Sequence, residues 1–303
     1  MCASPGPIPP DPSPGSPATA TAHRTGYDEH FLGPRVPLPH PVDSGIETTL
    51  LPYTHFTVVL RPSRRLALAT TVAVDGARLR DSDRDSEWRL DPRAPVTAQA
   101  GNELYRQNPL DRGHLVRRLD PVWGDRAEAE QADDDTFHYT NAAPQADVFN
   151  QGLELWLGLE NHLLEHAARF DRKLVVHTGP VLLDDDPVYR GVQIPLRFWK
   201  AVAFLDRGEL AATAYVLDQS PDLDDAHRAL TLAEAAGDPP PLGAFRTFQA
   251  PVADVAAVTG LDLGPLPAAD RMPVDVTAAP GPERWTRLGS PEDIVWRREG
   301  PAG

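Results

Sequence analysis

The sequence predicts an α+β fold, a central and mostly antiparallel β-sheet flanked by helices. Three observations predict it. Two apolar, β-branched runs, HFTVVL (55–60) and RRLALATTVAVDGA (64–77), are separated by a proline and basic turn, the pattern of a buried hairpin. Three further runs, KLVVHTGPVLL, LRFWKAVAFL and LAATAYVL, add strands, and the Arg207–Gly208 pair turns the last two into a second hairpin. After Asn150 the apolar positions Leu153, Leu155, Trp156, Leu159, Leu163, Leu164 and Ala167 recur at spacings near three and four, which predicts an amphipathic helix with Asn150 at its N-cap.

The remaining elements follow in chain order. Residues 78–108 are polar, with few apolar anchors besides Trp88 and Leu90, and read as a long loop. RGHLVRRL predicts a short strand, residues 125–131 an exposed helix, and DDTFHYTN, where Phe137 and Tyr139 alternate with polar neighbours, another strand. A weak helix near 251–258 is ended by Gly260, and a tail rich in proline and turns follows. No internal repeat is visible.

A chain of 303 residues with 41% hydrophobic composition can bury a full core, and we expect one domain over residues 26–303. Many of the 33 prolines crowd into residues 1–25, where large apolar side chains are nearly absent, so this arm is expected to be disordered. It lacks the apolar core of a signal peptide, and no apolar run reaches the ~20 residues of a membrane helix, so a soluble protein is expected, cytoplasmic or of unknown location. Cys2 is the only cysteine, which excludes intramolecular disulfides and cysteine-based zinc clusters. The net charge of −15 argues against a broadly basic nucleic-acid-binding surface. Its acid is patchy, however, at 133–135, 184–186 and 222–225, while Arg112, Arg117 and Arg118 cluster in one short segment, a local basic strip that either binds substrate phosphate or only solvates the surface.

Phosphate-binding Gly-Lys-Ser loops, dinucleotide-binding turns and serine-esterase elbows are all missing, so the search for chemistry narrows to histidines and amides. His162 and His166 lie four apart, but ENHLLEH is not a metalloprotease motif and reads as surface histidines. The tetrad Asp111, Arg112, Gly113 and His114 suits phosphodiester chemistry. A neutral imidazole accepts a proton from water near neutral pH, a guanidinium fork matches two phosphate oxygens, and glycine lets backbone approach a substrate. The same tetrad also fits a structural histidine at a strand end beside a surface ion pair.

Residues 141–160 are dense in amides and hold Asn141, Gln145, Asn150, Gln151 and Glu160. An asparagine oxygen is a hard, neutral ligand suited to Mg²⁺. Read alone, Asn150 is equally a helix cap and Glu160 a solvated helix acid.

The order DRGH, N, PQ, FNQ, W and LE closely resembles the DNA/RNA non-specific endonuclease family, and the similarity runs through residues 26–270. This resemblance implies a ββα-metal finger, in which one strand presents His114, a second returns, and a helix presents Asn150. It further implies His114 as general base, Arg112 as the arginine of the transition state, Asn150 as the direct ligand of Mg²⁺ (Mn²⁺ as a substitute), and Glu160 as the acid holding a metal-bound water. Asp111, Asn141 and Gln145 fall where the family shapes the site. Glu160 lies ten residues after Asn150, two more than in endonuclease G-like members. A second family arginine, expected before DRGH, has no unambiguous match among Arg80, Arg84 and Arg89.

The implied activity is hydrolysis of DNA and RNA to 5′-phosphate ends, read through the backbone and therefore inhibited by salt. A homodimer and an inhibitory or activating partner are further expectations. The alternatives are a nucleic-acid-binding module on a decayed nuclease fold, and a phosphodiesterase acting on smaller nucleotides.

Overall fold

The computed structural model describes residues 24–82, 87–146, 172–221, 226–243, 246–273 and 279–295. Among them the strands are β1 (His40–Pro41), β2 (Thr49–Pro52), β3 (Phe56–Arg61), β4 (Leu66–Asp75), β5 (Leu110–His114), β6 (Ala142–Ala146), β7 (Lys173–Val181), β8 (Val188–Tyr189), β9 (Val192–Gln193), β10 (Arg197–Asp206), β11 (Glu209–Asp218), β12 (Arg246–Ala250), β13 (Leu261–Asp262) and β14 (Thr286–Arg287). The helices are α1 (Asn102–Tyr105), α2 (Arg126–Asp135), α3 (Ala226–Ala236) and α4 (Val252–Thr259).

Eight strands form one sheet in the order β14-β12-β11-β10-β7-β4-β3-β2, with every neighbouring pair antiparallel. The fold is α+β, as the apolar runs predict. Pro62 opens the turn between β3 and β4, and Arg65 closes it in the left-handed region at φ 59°. Arg207 (φ 51°) and Gly208 (φ 87°) both take positive φ, the two-residue turn whose twist matches the flanking strands β10 and β11.

All ten residues of β4 are buried, because the sheet is covered on both faces. One face carries Val72, Val74, Val176, Phe198, Val202 and Leu217, and packs against Leu115, Val116, Ala143 and Ala146 from the β5–β6 region. The other face, rich in Ala69, Ala73, Ala201, Ala203, Ala212 and Ala214, lies under Val252 and Val255 of α4 and the segments that carry Leu32, Val36 and Leu266. The antiparallel β5–β6 pair, whose strands are joined through α2, is thus seated on the large sheet. Its register pairs Asp111 with Gln145, Gly113 with Ala143 and His114 with Ala142.

The predicted strand DDTFHYTN is a correction. Helix α2 runs to Asp135, a 3-10 turn covers Tyr139–Asn141, and the strand that pairs with β5 is the following AAPQA. Phe137 and Tyr139 alternate with their neighbours because both rings pack on Trp88, not because the backbone is extended. Helix α2 starts with a reciprocal capping box between Asp125 and Glu128, so the predicted helix at 125–131 is real and longer than expected. Strands β2, β12 and β14 and helix α3 are additions that the sequence pattern did not announce. Arg24, placed in the predicted arm, is fixed to the buried Asp135 at 2.6 Å. The long helix predicted after Asn150 lies outside the described residues. No described helix is long and apolar enough to cross a membrane.

Candidate active site

Three consecutive aspartates end α2, where the helix dipole disfavours negative charge. Each is matched by an arginine from a different part of the chain: Arg118 on Asp133 (2.8 Å), Arg89 on Asp134 (2.6 Å) and Arg24 on Asp135 (2.6 Å). Asp133 and Asp135 are fully buried, so their pairs clasp the interior, while the Arg89–Asp134 pair is part-exposed. They draw the loop holding Arg89 and the segment after β5 around the end of α2. His114 sits between them.

The His114 ring lies against Trp88 (4.6 Å between centroids, 46°) and meets Phe137 edge-on (5.1 Å, 90°). Its Nε2 is buried and has no hydrogen-bond partner among the described residues. Burial lowers its pKa from 6.5 to about 4, with Asp133 pulling upward and Arg118 pushing further down. The imidazole is therefore neutral at physiological pH, with a ring nitrogen unspent.

Asn141 fixes the chain just beyond this histidine. It is fully buried; its Oδ1 accepts from the Val116 amide at 2.8 Å, and its Nδ2 donates to the carbonyls of Val116 and Thr136, both at 3.0 Å. Its amide is thus spent on backbone, which assigns it to shaping the chain just after His114. We expect Asn141→Ala to cost about 3 kcal/mol in a urea melt, because three buried backbone groups lose their partner. Gln145 crosses β5 so closely that a Cβ at Gly113 would overlap its carboxamide. The glycine makes room for Gln145, where the sequence reading expected approach to substrate. Asp111 opposite it is exposed.

Arg112 donates to Asn102 Oδ1 at 2.6 Å and stacks over Tyr105 (5.3 Å) and Tyr139 (5.9 Å). Its Nε is buried with no hydrogen-bond partner among the described residues. Together with Trp88, Arg89, Asn102, Glu103 and Tyr139 it lines an open cleft of about 610 Å³. His114 touches the cleft through Trp88. Sequence reasoning did not foresee Asn102, Tyr105 or Tyr139 here; they come from separate segments, and only the tertiary fold joins them. Of the three candidate arginines, Arg89 reaches the cleft and Arg80 bonds the Gly124 carbonyl, while Arg84 lies outside the described residues.

The two other arginines expected to bind substrate part company. Arg118 is held by Asp133 and by the Ser82 carbonyl at 2.8 Å, so its charge goes first to the fold. Arg117 is half-buried beside it. Asn150 and Glu160 lie outside the described residues. Among the described residues, no group of three or more His, Cys, Asp or Glu gathers to hold an ion.

The family model for DNA/RNA non-specific endonucleases matches residues 39–270. An uncharacterised protein, y4fB, of Sinorhizobium fredii is 39% identical over 267 residues, which are 81% of this chain and 40% of that protein. Mitochondrial endonuclease G of Homo sapiens is 31% identical over 181 residues, 54% of this chain and 58% of the relative. Nuclease EXOG of Danio rerio is 29% identical over 160 residues, 52% and 43% of the two chains. This chain thus spans about half the length of these curated relatives. A solved structure of the EndoG/EndoGI complex superimposes with a TM-score of 0.51 at 19% identity, over 70% of this chain and 84% of that one, a likeness of fold. With the model match covering most of the sequence, the chain belongs to the DNA/RNA non-specific endonuclease family.

Proposed function

We propose that this protein is a metal-dependent endonuclease that hydrolyses phosphodiester bonds of DNA and RNA and leaves 5′-phosphate ends. The observation that carries the proposal is His114: a neutral imidazole with an unspent, buried nitrogen, held at the end of β5, its ring on the Trp88 that lines the same cleft as Arg112. His114 takes the proton of the attacking water, and Arg112 pairs with the phosphate oxygens as their charge rises. Arg117 adds positive charge near the same strand end.

Asn150 is assigned as the single protein ligand of Mg²⁺, with Mn²⁺ as a substitute, and Glu160 as the acid that holds the ion's water. When bound, the ion supplies positive charge beside the phosphate and eases departure of the 3′-oxygen. One neutral ligand makes a weak site, which substrate phosphate completes. The relative whose complex is named for inhibition motivates a further proposal, that an inhibitor protein restrains this enzyme as well.

The test is a Mg²⁺ titration of cleavage by wild type and Asn150→Ala. The variant is expected to need at least tenfold more Mg²⁺ and to make the same 5′-phosphate ends. An unchanged Mg²⁺ requirement would remove Asn150 from the metal's shell.

A further inference from the structure

The cleft is poorly suited to phosphate alone. Arg89 is neutralised by Asp134, and Glu87 and Glu103, the latter on Arg65 (2.7 Å), add carboxylates to the wall. What the cleft offers is the indole of Trp88, half-buried in its wall beside the amide of Asn102, with Tyr139 buried behind it at 5.7 Å between ring centroids. The cleft, of about 610 Å³, is open to solvent along one side, so a base can enter it edge-first. Arg112 stands at its side with an unspent Nε. Trp88 separates this space from His114, whose ring it touches.

From this arrangement we infer that the cleft is a nucleobase subsite. It accepts one unstacked base of the strand being cut, against Trp88, while Arg112 holds the phosphate attached to that nucleotide. A flat π-face recognises any base, so the subsite contributes affinity without sequence preference. It also favours single strands, because a duplex must first unstack a base to fill it. The inference rests on the nuclease reading for its substrate, and goes beyond it in naming the part of the substrate bound and the residue that binds it.

The test compares two fluorescein-labelled tetranucleotides, one with normal bases and one in which every base is replaced by a tetrahydrofuran abasic residue. Binding is followed by anisotropy in EDTA, so no cutting intervenes. Wild type is expected to bind the normal chain about tenfold more tightly, the scale of one base–aromatic stack. In Trp88→Ala that ratio is expected to fall within twofold, and in Trp88→Phe to persist. Equal binding of the two chains by wild type overturns the subsite, a result that does not depend on any variant folding. A tenfold ratio that survives in a folded Trp88→Ala overturns the role of Trp88. Cutting of plasmid with Mg²⁺, measured separately, reports on the nuclease reading: cutting without base-dependent binding sinks the subsite alone, and base-dependent binding without cutting sinks the nuclease alone.

Discussion

Replacing His114 with alanine is expected to lower kcat by a factor of 10² to 10⁴, the range that a positioned general base contributes, with little change in KM. The expectation separates chemistry from packing. The ring also fills space between Trp88 and Phe137, so its loss opens a small void, and a folded variant must be confirmed by its melting curve. Added imidazole should restore part of the activity if a missing base is the cause, and none if the site has collapsed. The pH profile of wild type gives an independent reading. The base works neutral, so activity is lost as pH falls through its pKa; burial places that limb near pH 4 instead of 6.5. An acid limb that persists unshifted in His114→Ala would assign it to another group.

The second large effect concerns stability in acid. Burial lowers the pKa of His114 to about 4, of His138 to about 4 and of His177 to about 3. His138 lies in the turn after α2, its Nδ1 donating to the Asp135 carbonyl at 2.9 Å. His177 is fully buried in β7, 2.7 Å from the Thr71 hydroxyl. The unfolded chain, with histidines near 6.5, binds more protons than the folded one between that value and the lowered ones. Stability therefore rises with pH across this window and falls as pH drops from 7 towards 4. At pH 5.5 the three together should cost about 4 kcal/mol relative to pH 8, a large share of the 5–15 kcal/mol typical of a domain. Urea melts at pH 7.5, 6.5 and 5.5 measure it. His177→Gln should remove about a third of the dependence, and a stability flat from pH 7.5 to 5.5 would contradict the account.

Much of the fold is legible in the sequence because it is written in local patterns. The β3–β4 and β10–β11 hairpins are marked by apolar runs and by the residues that turn them, and α4 by its terminal Gly260. The strand β6 is not, since Ala142–Ala146 has no β-branched residue and contains a proline. Pro144 is tolerated because β6 belongs to a two-stranded sheet of its own, steadied from its other side by Gln219, whose side chain bonds Ala146 and Pro144.

The site is legible in a different way. DRGH names its residues, but the cleft joins 87–90, 102–103, 112 and 139, contacts that no periodicity encodes. The run at 133–135 reads in the sequence only as a patch of acid, yet two of its carboxylates are buried and all three organise arginines. Arg118 reads as a phosphate ligand, and is claimed first by Asp133. Asn150 and Glu160 rest on the sequence pattern alone.

The central claim meets its most direct test in a digest of supercoiled plasmid and of RNA with Mg²⁺, set against the same reaction in EDTA and against His114→Ala. Degradation of both nucleic acids by wild type, stopped by EDTA and reduced at least a hundredfold in the variant, is the predicted result. Equal cutting by wild type and a folded His114→Ala protein would contradict it.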